Sequence, residues 1–364
     1  MPDLAKPSQV WNLQWDADWV TAVAFLGSSG RVAAGNNLGQ ILLWELPEKA
    51  GGDPPKPVAK LDGHTNVISR LAYSPDGKTL ISTSYDHAIR YWDIPETLPA
   101  PTATVALNER TIEDLKRRRA SKIPAPLEAK VSVLKPSRTL TEHKEWIVGM
   151  ELSRDGKAMI TGDDGGHVLI WDAAAGTVTK RWKVKGWAYA VALSPDQKQA
   201  CVSERLPLIF DSGRHSAIKL WDATTGTVTK DLSAEKEFKG AHFSSAAYSP
   251  DGKVLVLGRG GEGEGKLFLL DAPTGKVTKA LAPLHQEGVT DVAFHPDGKH
   301  FASSGRDTVV RIWEAVTGKL VSEVGKPRGG QFKDWICAIS WSPDGAWIAA
   351  ADMAGAVQVW NFAT

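Results

Sequence analysis

Two sets of side chains recur in this chain with the residue types of nucleophilic catalysis. The first is His64, Ser82 and Asp86, followed by Trp92; the second is His285, Ser303 and Asp307, followed by Trp313. A histidine oriented by a carboxylate can take the proton of a serine hydroxyl and so activate it. A third set, His143, Thr161 and Trp171, has Gly165 at the aspartate position and Asp164 one place before it. Recurrence at fixed positions favours a structural role over a catalytic one. Other chemical motifs fail on context. The run 260–266, GGEGEGK, approaches a phosphate-binding loop, but Leu267 replaces its Ser/Thr, two glutamates would repel phosphate, and a strand-like run follows instead of a helix. No HExxH, paired CxxC or GxSxG occurs. His295 and His300 flank a turn signal and read as solvated.

The elements that must position these residues are short strands. Residues 61–94, LDGHTNVISRLAYSPDGKTLISTSYDHAIRYWDI, hold three apolar runs separated by Ser74-Pro75-Asp76-Gly77 and Ser84-Tyr85-Asp86-His87. Proline presets the first corner of a tight turn and glycine accepts positive φ, so this is an antiparallel meander. It repeats. The closing pair recurs as Trp44-Glu45, Trp92-Asp93, Trp171-Asp172, Trp221-Asp222, Leu270-Asp271, Trp313-Glu314 and Trp360-Asn361. The turn recurs at Ser153, Ser194, Ser249, His295 and Ser342, with Gly27-Ser28-Ser29-Gly30 as a looser first copy. The period is roughly 43–50 residues outside one insertion, with G-H and W-D punctuation.

On these residues the chain resembles the WD40-repeat β-propeller family over nearly its whole length. The resemblance implies an all-β fold, a single seven-bladed propeller with blades near 16–60, 61–139, 140–183, 184–233, 234–282, 283–325 and 326–364. In this family one terminus usually completes the blade begun by the other. The last repeat stops after its third strand while residues 9–15 alternate, so 9–15 is expected as the outer strand of the seventh blade. Residues 1–8 read as an extended or disordered leader.

Pro47 to Pro57 reads as an exposed loop. A longer insertion spans about 95–136, between the third and fourth strands of the second repeat. Asn108 to Arg119 reads as a short helix, acidic first and basic last, with Thr111 and Asp114 spaced like a capping box; Val131 to Leu134 reads as a strand. The family places such connections on the bottom rim. The basic run 116–119 suggests nucleic acid, but without interleaved aromatics and with a net charge of +1 a solvated helix end is the better reading. The two cysteines, Cys201 and Cys337, cannot make a disulfide framework and read as small buried hydrophobes. No run of 18 apolar residues occurs. The first residues lack an apolar signal core, so a cytoplasmic location is expected, or a periplasmic or extracellular one if a leader was removed.

The family buries a relay of His, Ser/Thr, Asp and Trp in its blades, which implies structural roles for His64, Ser82, Asp86 and Trp92 and for His285, Ser303, Asp307 and Trp313. The other repeats hold Asp16, Val184, Lys239 and Phe332 at the histidine position. A different position points to function. The residue before the first strand's leading apolar residue is Trp19, Val67, Trp146, Trp187, His242, Gly288 and Trp335. In the family this position, the residue two further on and the one preceding the relay aspartate face the top of the channel. The second set is Thr21, Ser69, Val148, Tyr189, Ser244, Thr290 and Cys337; the third is Asn37, Tyr85, Asp164, Arg214, Gly263, Arg306 and Met353. Longer loops at 204–216 and 258–266 would wall one side.

The resemblance therefore implies a non-catalytic, monomeric protein-interaction scaffold without cofactor or metal. Its protein or peptide partner would meet Trp19, Tyr85, Trp146, Trp187, Tyr189, Arg214, His242, Arg306, Trp335 and Met353, residue types that dominate interface hot spots. The alternative is an enzyme or a small-ligand or metal binder at the channel mouth, with His242, Asp164 and Asp291 as its groups. Nucleic-acid binding through 116–119 comes third.

Overall fold

The structure is a computed structural model that describes residues 2–362 except 16–18, 28–29, 48–51, 121, 206–215, 239–240, 262–264 and 326–334. Seven sheets carry the chain, each ordered from an inner to an outer strand. The inner strands are Val20–Leu26, Ile68–Tyr73, Ile147–Leu152, Trp187–Leu193, Phe243–Tyr248, Val289–Phe294 and Ile336–Trp341. Each touches the next, and the seventh touches the first, so the ring is closed: a seven-bladed β-propeller.

The strands end where the turn residues dictate. In the second blade the Ser74 hydroxyl donates to Asp76 Oδ1 at 2.5 Å and accepts the Thr79 N–H at 2.9 Å. Gly77 then turns the chain at φ 73°. The same hydroxyl–carboxylate bond recurs at Ser153, Ser194, Ser249 and Ser342. These turns lie at the far end of the inner strands from the top rim.

Closure follows the expected route. Ser8–Gln14 pairs antiparallel with Ala356–Asn361, the third strand of the seventh blade. The leader does not simply trail away, however. Leu4 is buried against the sixth and seventh blades, and Ser322 donates to its carbonyl at 2.5 Å. The insertion falls where expected, between Ile89–Asp93 and Arg138–Leu140 of the second blade. Its two strands, Ala103–Ala106 and Glu128–Leu134, do not form a bottom-rim loop. Glu128–Leu134 pairs parallel with Pro57–Leu61, which widens the first blade to six strands. The helix Glu109–Arg117 starts before Thr111, so the capping box is not formed. Asn108 at its N-cap instead donates to Ala125 O and accepts from Leu127 N.

The apolar core is divided into seven clusters, one at each seam between neighbouring blades. Within blades, the two complete relays form. In the second blade His64 Nδ1 meets Asp86 Oδ2 at 2.9 Å and Nε2 meets Ser82 Oγ at 2.7 Å; Trp92 Nε1 donates to the same oxygen at 2.8 Å. The sixth blade repeats this at 2.9, 2.8 and 2.9 Å. Arg90 and Arg311 add a charged bond to each aspartate at 2.7 and 2.8 Å. The order of groups is that of a catalytic triad. Yet both serines are 0% exposed and their oxygens already accept an indole N–H, so no substrate can reach them.

The third blade corrects the sequence reading. Its acid is Asp163, at the end of the second strand: His143 Nδ1 meets Asp163 Oδ2 at 2.7 Å, and His143 Nε2 and Trp171 Nε1 meet Thr161 Oγ1 at 2.7 and 2.8 Å. Asp164 instead accepts the Trp146 N–H at 2.8 Å. In the first and fourth blades Ala34 and Val202 hold the register of Ser82. There Trp44 and Trp221 Nε1 have no hydrogen-bond partner among the described residues.

Two expectations follow. Ser303→Ala leaves two buried nitrogens unsatisfied and should lower the unfolding free energy by about 1–3 kcal/mol. Ala34→Ser, which offers Trp44 an acceptor, should raise it by about 1 kcal/mol. Equilibrium urea unfolding measures both; an unchanged midpoint for Ser303→Ala would remove the relay from the sources of stability.

Burial lowers the pKa of His64 and His285 below the ordinary 6.5, against the opposing pull of Asp86 and Asp307. Burial alone would raise Asp307, but His285 and Arg311 outweigh it and bring the carboxyl to about 2; Asp86 is lowered likewise. Both shifts have one sign. Below pH 6.5 the unfolded histidines take up protons that the fold refuses, and below 3.8 the unfolded aspartates do the same. The urea midpoint should fall steadily from pH 7 to 5 and faster below 4. A midpoint flat between pH 7 and 5 would contradict neutral buried histidines.

Candidate functional site

Each inner strand carries a one-residue bulge just after its start, where the pairing register shifts. The residues inside these bulges are Thr21, Ser69, Val148, Tyr189, Ser244, Thr290 and Cys337, the second expected set. A bulge re-aims a side chain and leaves it outside the ladder. Two of these use the freedom to bind the next blade: Thr21 Oγ1 donates to Ile68 O at 2.6 Å and Ser244 Oγ to Val289 O at 2.6 Å.

The first and third sets are held side by side by backbone. The N–H of Asn37, Tyr85, Asp164, Arg306 and Met353 donates to the carbonyl of Trp19, Val67, Trp146, Gly288 and Trp335 at 2.9–3.1 Å. In the fifth blade this donor is Gly260, bonded to His242 O at 2.9 Å, in place of the expected Gly263, which lies outside the described residues. In the fourth blade Trp187 pairs with Arg205. Arg205 therefore holds the position assigned to Arg214, which also lies outside the described residues. The second strand runs on to Arg205, so counting back from the closing Trp221 by the spacing of the other repeats stops short of it, at Arg214.

The side chains meet across blades. Tyr85 lies flat on Trp146, ring centroids 5.0 Å apart and planes 1° from parallel. Arg205 sits over Trp187 and Tyr189 at 5.6 and 5.7 Å, and Tyr189 meets His242 edge-on at 5.1 Å. Arg306 lies over Trp335 at 4.1 Å, a cation–π contact. Trp146 is 43% exposed and Trp19 37%; the other expected residues that are described are half-buried. Leu38, 61% exposed in the turn after Asn37, was not anticipated. An apolar residue in a polar turn was the available signal.

Three guanidinium groups act on this mouth. Arg70 and Arg205 both act on the Tyr85 hydroxyl, Arg205 and Arg306 on His242, and Arg70 and Arg306 on Cys337. Burial, reinforced by Arg205 and Arg306, brings His242 down to about 4. Its Nδ1 has no hydrogen-bond partner among the described residues. Below the mouth the channel opens into a cavity of about 590 Å³ lined by the inner strands. Glu151 lines it and accepts Leu193 N–H at 2.7 Å; burial raises its carboxyl to about 8, although some of its surface stays open to the channel. Asp291, also raised by burial, accepts Ile339 N–H at 3.0 Å. His242, Asp164 and Asp291 do not bring their ligand atoms together; among the described residues the His/Cys/Asp/Glu set that does is His295, Asp297 and His300, on the opposite rim, with one ligand atom of each within 4.8 Å of the others. His295 is not solvated as expected but 4% exposed.

Four stretches, residues 55–93, 134–172, 277–314 and 325–361, match the WD domain, G-beta repeat family. The chain is a WD40-repeat β-propeller. It is 26% identical over 357 residues to the small ribosomal subunit protein RACK1y of Oryza sativa subsp. japonica, covering 83% of this chain and 94% of the relative. It is 25% identical over 255 residues to the target of rapamycin complex subunit wat1 of Schizosaccharomyces pombe, covering 67% and 76%. Against WD repeat-containing protein 1 of Gallus gallus it is 26% identical over 227 residues, 61% of this chain and 34% of that protein. No described helix of this WD40 propeller is long and apolar enough to cross a membrane.

The His242 environment can be read directly. Its imidazole should titrate near pH 4 by NMR, and Arg205→Ala should move the midpoint upward, since the guanidinium opposes protonation. A midpoint near 6.5 in the wild type would place His242 in open water instead.

Proposed function

We propose that this propeller is a non-catalytic interaction scaffold that holds a protein or peptide segment on its top rim. The observation that carries the reading is the uncovered aromatic surface. Trp146 stacked on Tyr85, Trp19 and Leu38 expose apolar area that is costly unless something covers it. Trp187, Tyr189 and Trp335 extend the surface around the mouth, each lying against an arginine. Arg205 takes the part expected of Arg214 beside Arg306. The fitting partner presents an apolar anchor for the indoles and carboxylates for the guanidinium groups. The names of the relatives support membership of an assembly, since one is a complex subunit and another a ribosomal subunit protein.

The test is capture from native extract with immobilised wild type and the double variant Trp146→Ala/Trp187→Ala. The variant should lose more than about 30-fold in retention of the captured protein, the effect of removing a hot spot. Its melting temperature should stay close to wild type, because Trp146 is exposed and Trp187 half-buried. Undiminished capture by a folded double variant would sink the top-rim assignment.

A further inference from the structure

We propose that His295, Asp297 and His300 bind a late first-row divalent transition cation, zinc foremost, on the rim opposite the aromatic face. The hairpin between the first and second strands of the sixth blade breaks the repeat pattern twice. Where five other blades place a serine that bonds the turn aspartate, this one has His295. The position of His300 is filled elsewhere by Thr79, Ala158, Gln199, Val254 and Trp347. The aspartate is common to these turns; the two imidazoles are additions to it.

Their geometry converges on the carboxylate. His295 Nδ1 lies 3.0 Å from Asp297 Oδ1 and His300 Nδ1 lies 2.7 Å from Asp297 Oδ2. The three ligand atoms fall within 4.8 Å of one another. A tetrahedral zinc with bonds near 2.1 Å separates its ligands by about 3.4 Å, so closure needs a shift on the order of an ångström. The second nitrogen of His295 is already committed. Nε2 donates to Gly345 O at 3.1 Å, and the ring packs edge-on against Trp341 at 4.8 Å. A backbone carbonyl in that role fixes the tautomer and orientation of metal-binding histidines.

With Nε2 protonated, the neutral ring turns a lone pair on Nδ1 toward Asp297. That lone pair receives the Asp297 N–H at 3.1 Å, yet a carboxylate oxygen also lies 3.0 Å away. Two acceptors at this distance call for positive charge between them: a proton or a metal ion. Two imidazole nitrogens and one carboxylate oxygen suit zinc, cobalt, nickel or copper rather than magnesium or calcium. The side chains of Asp297 and His300 are 22% and 25% exposed, which leaves an open side for water. Arg154 opposes the site, donating to the neighbouring Pro296 carbonyl at 2.9 Å. A bound ion would tie the sixth blade's turn to that of the seventh through His295 and Gly345.

The test uses untagged full-length protein, stripped of metal and titrated with zinc sulfate by calorimetry. One ion per chain should bind saturably, more tightly at higher pH as the ligands lose their protons. His295→Ser, which installs the residue of the other blades, and His300→Ala should each weaken binding by more than about tenfold. The metal-free variants should keep the wild-type circular dichroism and cooperative melt. Cobalt should give visible bands of a four-coordinate ion that both variants lose. Absence of saturable zinc binding would leave the proton as the charge between the two acceptors and overturn the proposal. Undiminished binding in both folded variants would overturn it too, by placing the metal on other histidines.

Discussion

The burial of each blade's face against the next is the interaction on which this molecule depends. Every apolar cluster spans a seam: Trp11, Leu13 and Val357 of the seventh blade meet Val23 and Phe25 of the first, and Ile81 and Tyr91 of the second meet Ile147 and Trp171 of the third. A single four-stranded sheet has no partner for its faces, so the blades are stable only as a ring. The seam that the chain does not cross in sequence is sealed differently. Ser8–Gln14 zips onto Ala356–Asn361, and Leu4 adds a buried anchor on the neighbouring seam. The first blade's outer edge is covered by strands borrowed from the second blade's insertion, whose Leu107, Ala129 and Val131 join the closing cluster.

The relays act inside this frame, on the loops that enter each blade. His64, His143 and His285 stand three places before Val67, Trp146 and Gly288, so pinning the imidazole pins the loop that ends at the rim position. Blades without the histidine hold that loop by other means. In the fourth, Glu204 accepts the Lys185 N–H at 3.1 Å and binds the Lys219 ammonium at 2.6 Å, just ahead of Trp187. In the first, Asn37 Oδ1 accepts the Trp19 N–H at 3.4 Å. The polar group comes from the turn in the second and sixth blades and from the end of the second strand in the third and fourth.

That variation marks how much was legible in the residues alone. Blade number, ring closure and the bulge residues follow from a phase that a turn of the X-Pro-Asp-Gly kind, a closing tryptophan, or both reset in repeat after repeat. Arg205 was missed because the fourth blade's hairpin between second and third strands is longer, so counting back from the closing tryptophan misplaces its cation; Asp163 was missed because, in a hairpin of unchanged length, the acid moves from the turn to the end of the second strand. The parallel pairing of Glu128–Leu134 with Pro57–Leu61 joins segments of different blades and leaves no local periodicity to read. His295 looked solvated because its turn is; its burial comes from Gly345 and Trp341 of the next blade.

The rim position separates what the fold requires from what it leaves open. Its structural duty is a carbonyl that accepts one N–H, and Val67, His242 and Gly288 perform it as well as Trp19, Trp146 and Trp335 do. Any side chain satisfies that bond, so fold stability sets no preference for an indole there. The tryptophans are half-buried or exposed, and their ring partners are Tyr85, Arg205 and Arg306, themselves rim residues outside the seam clusters. Their stacking orders the rim without adding to the core. Large indoles at a site where glycine suffices therefore weigh toward the proposed docking role rather than toward folding.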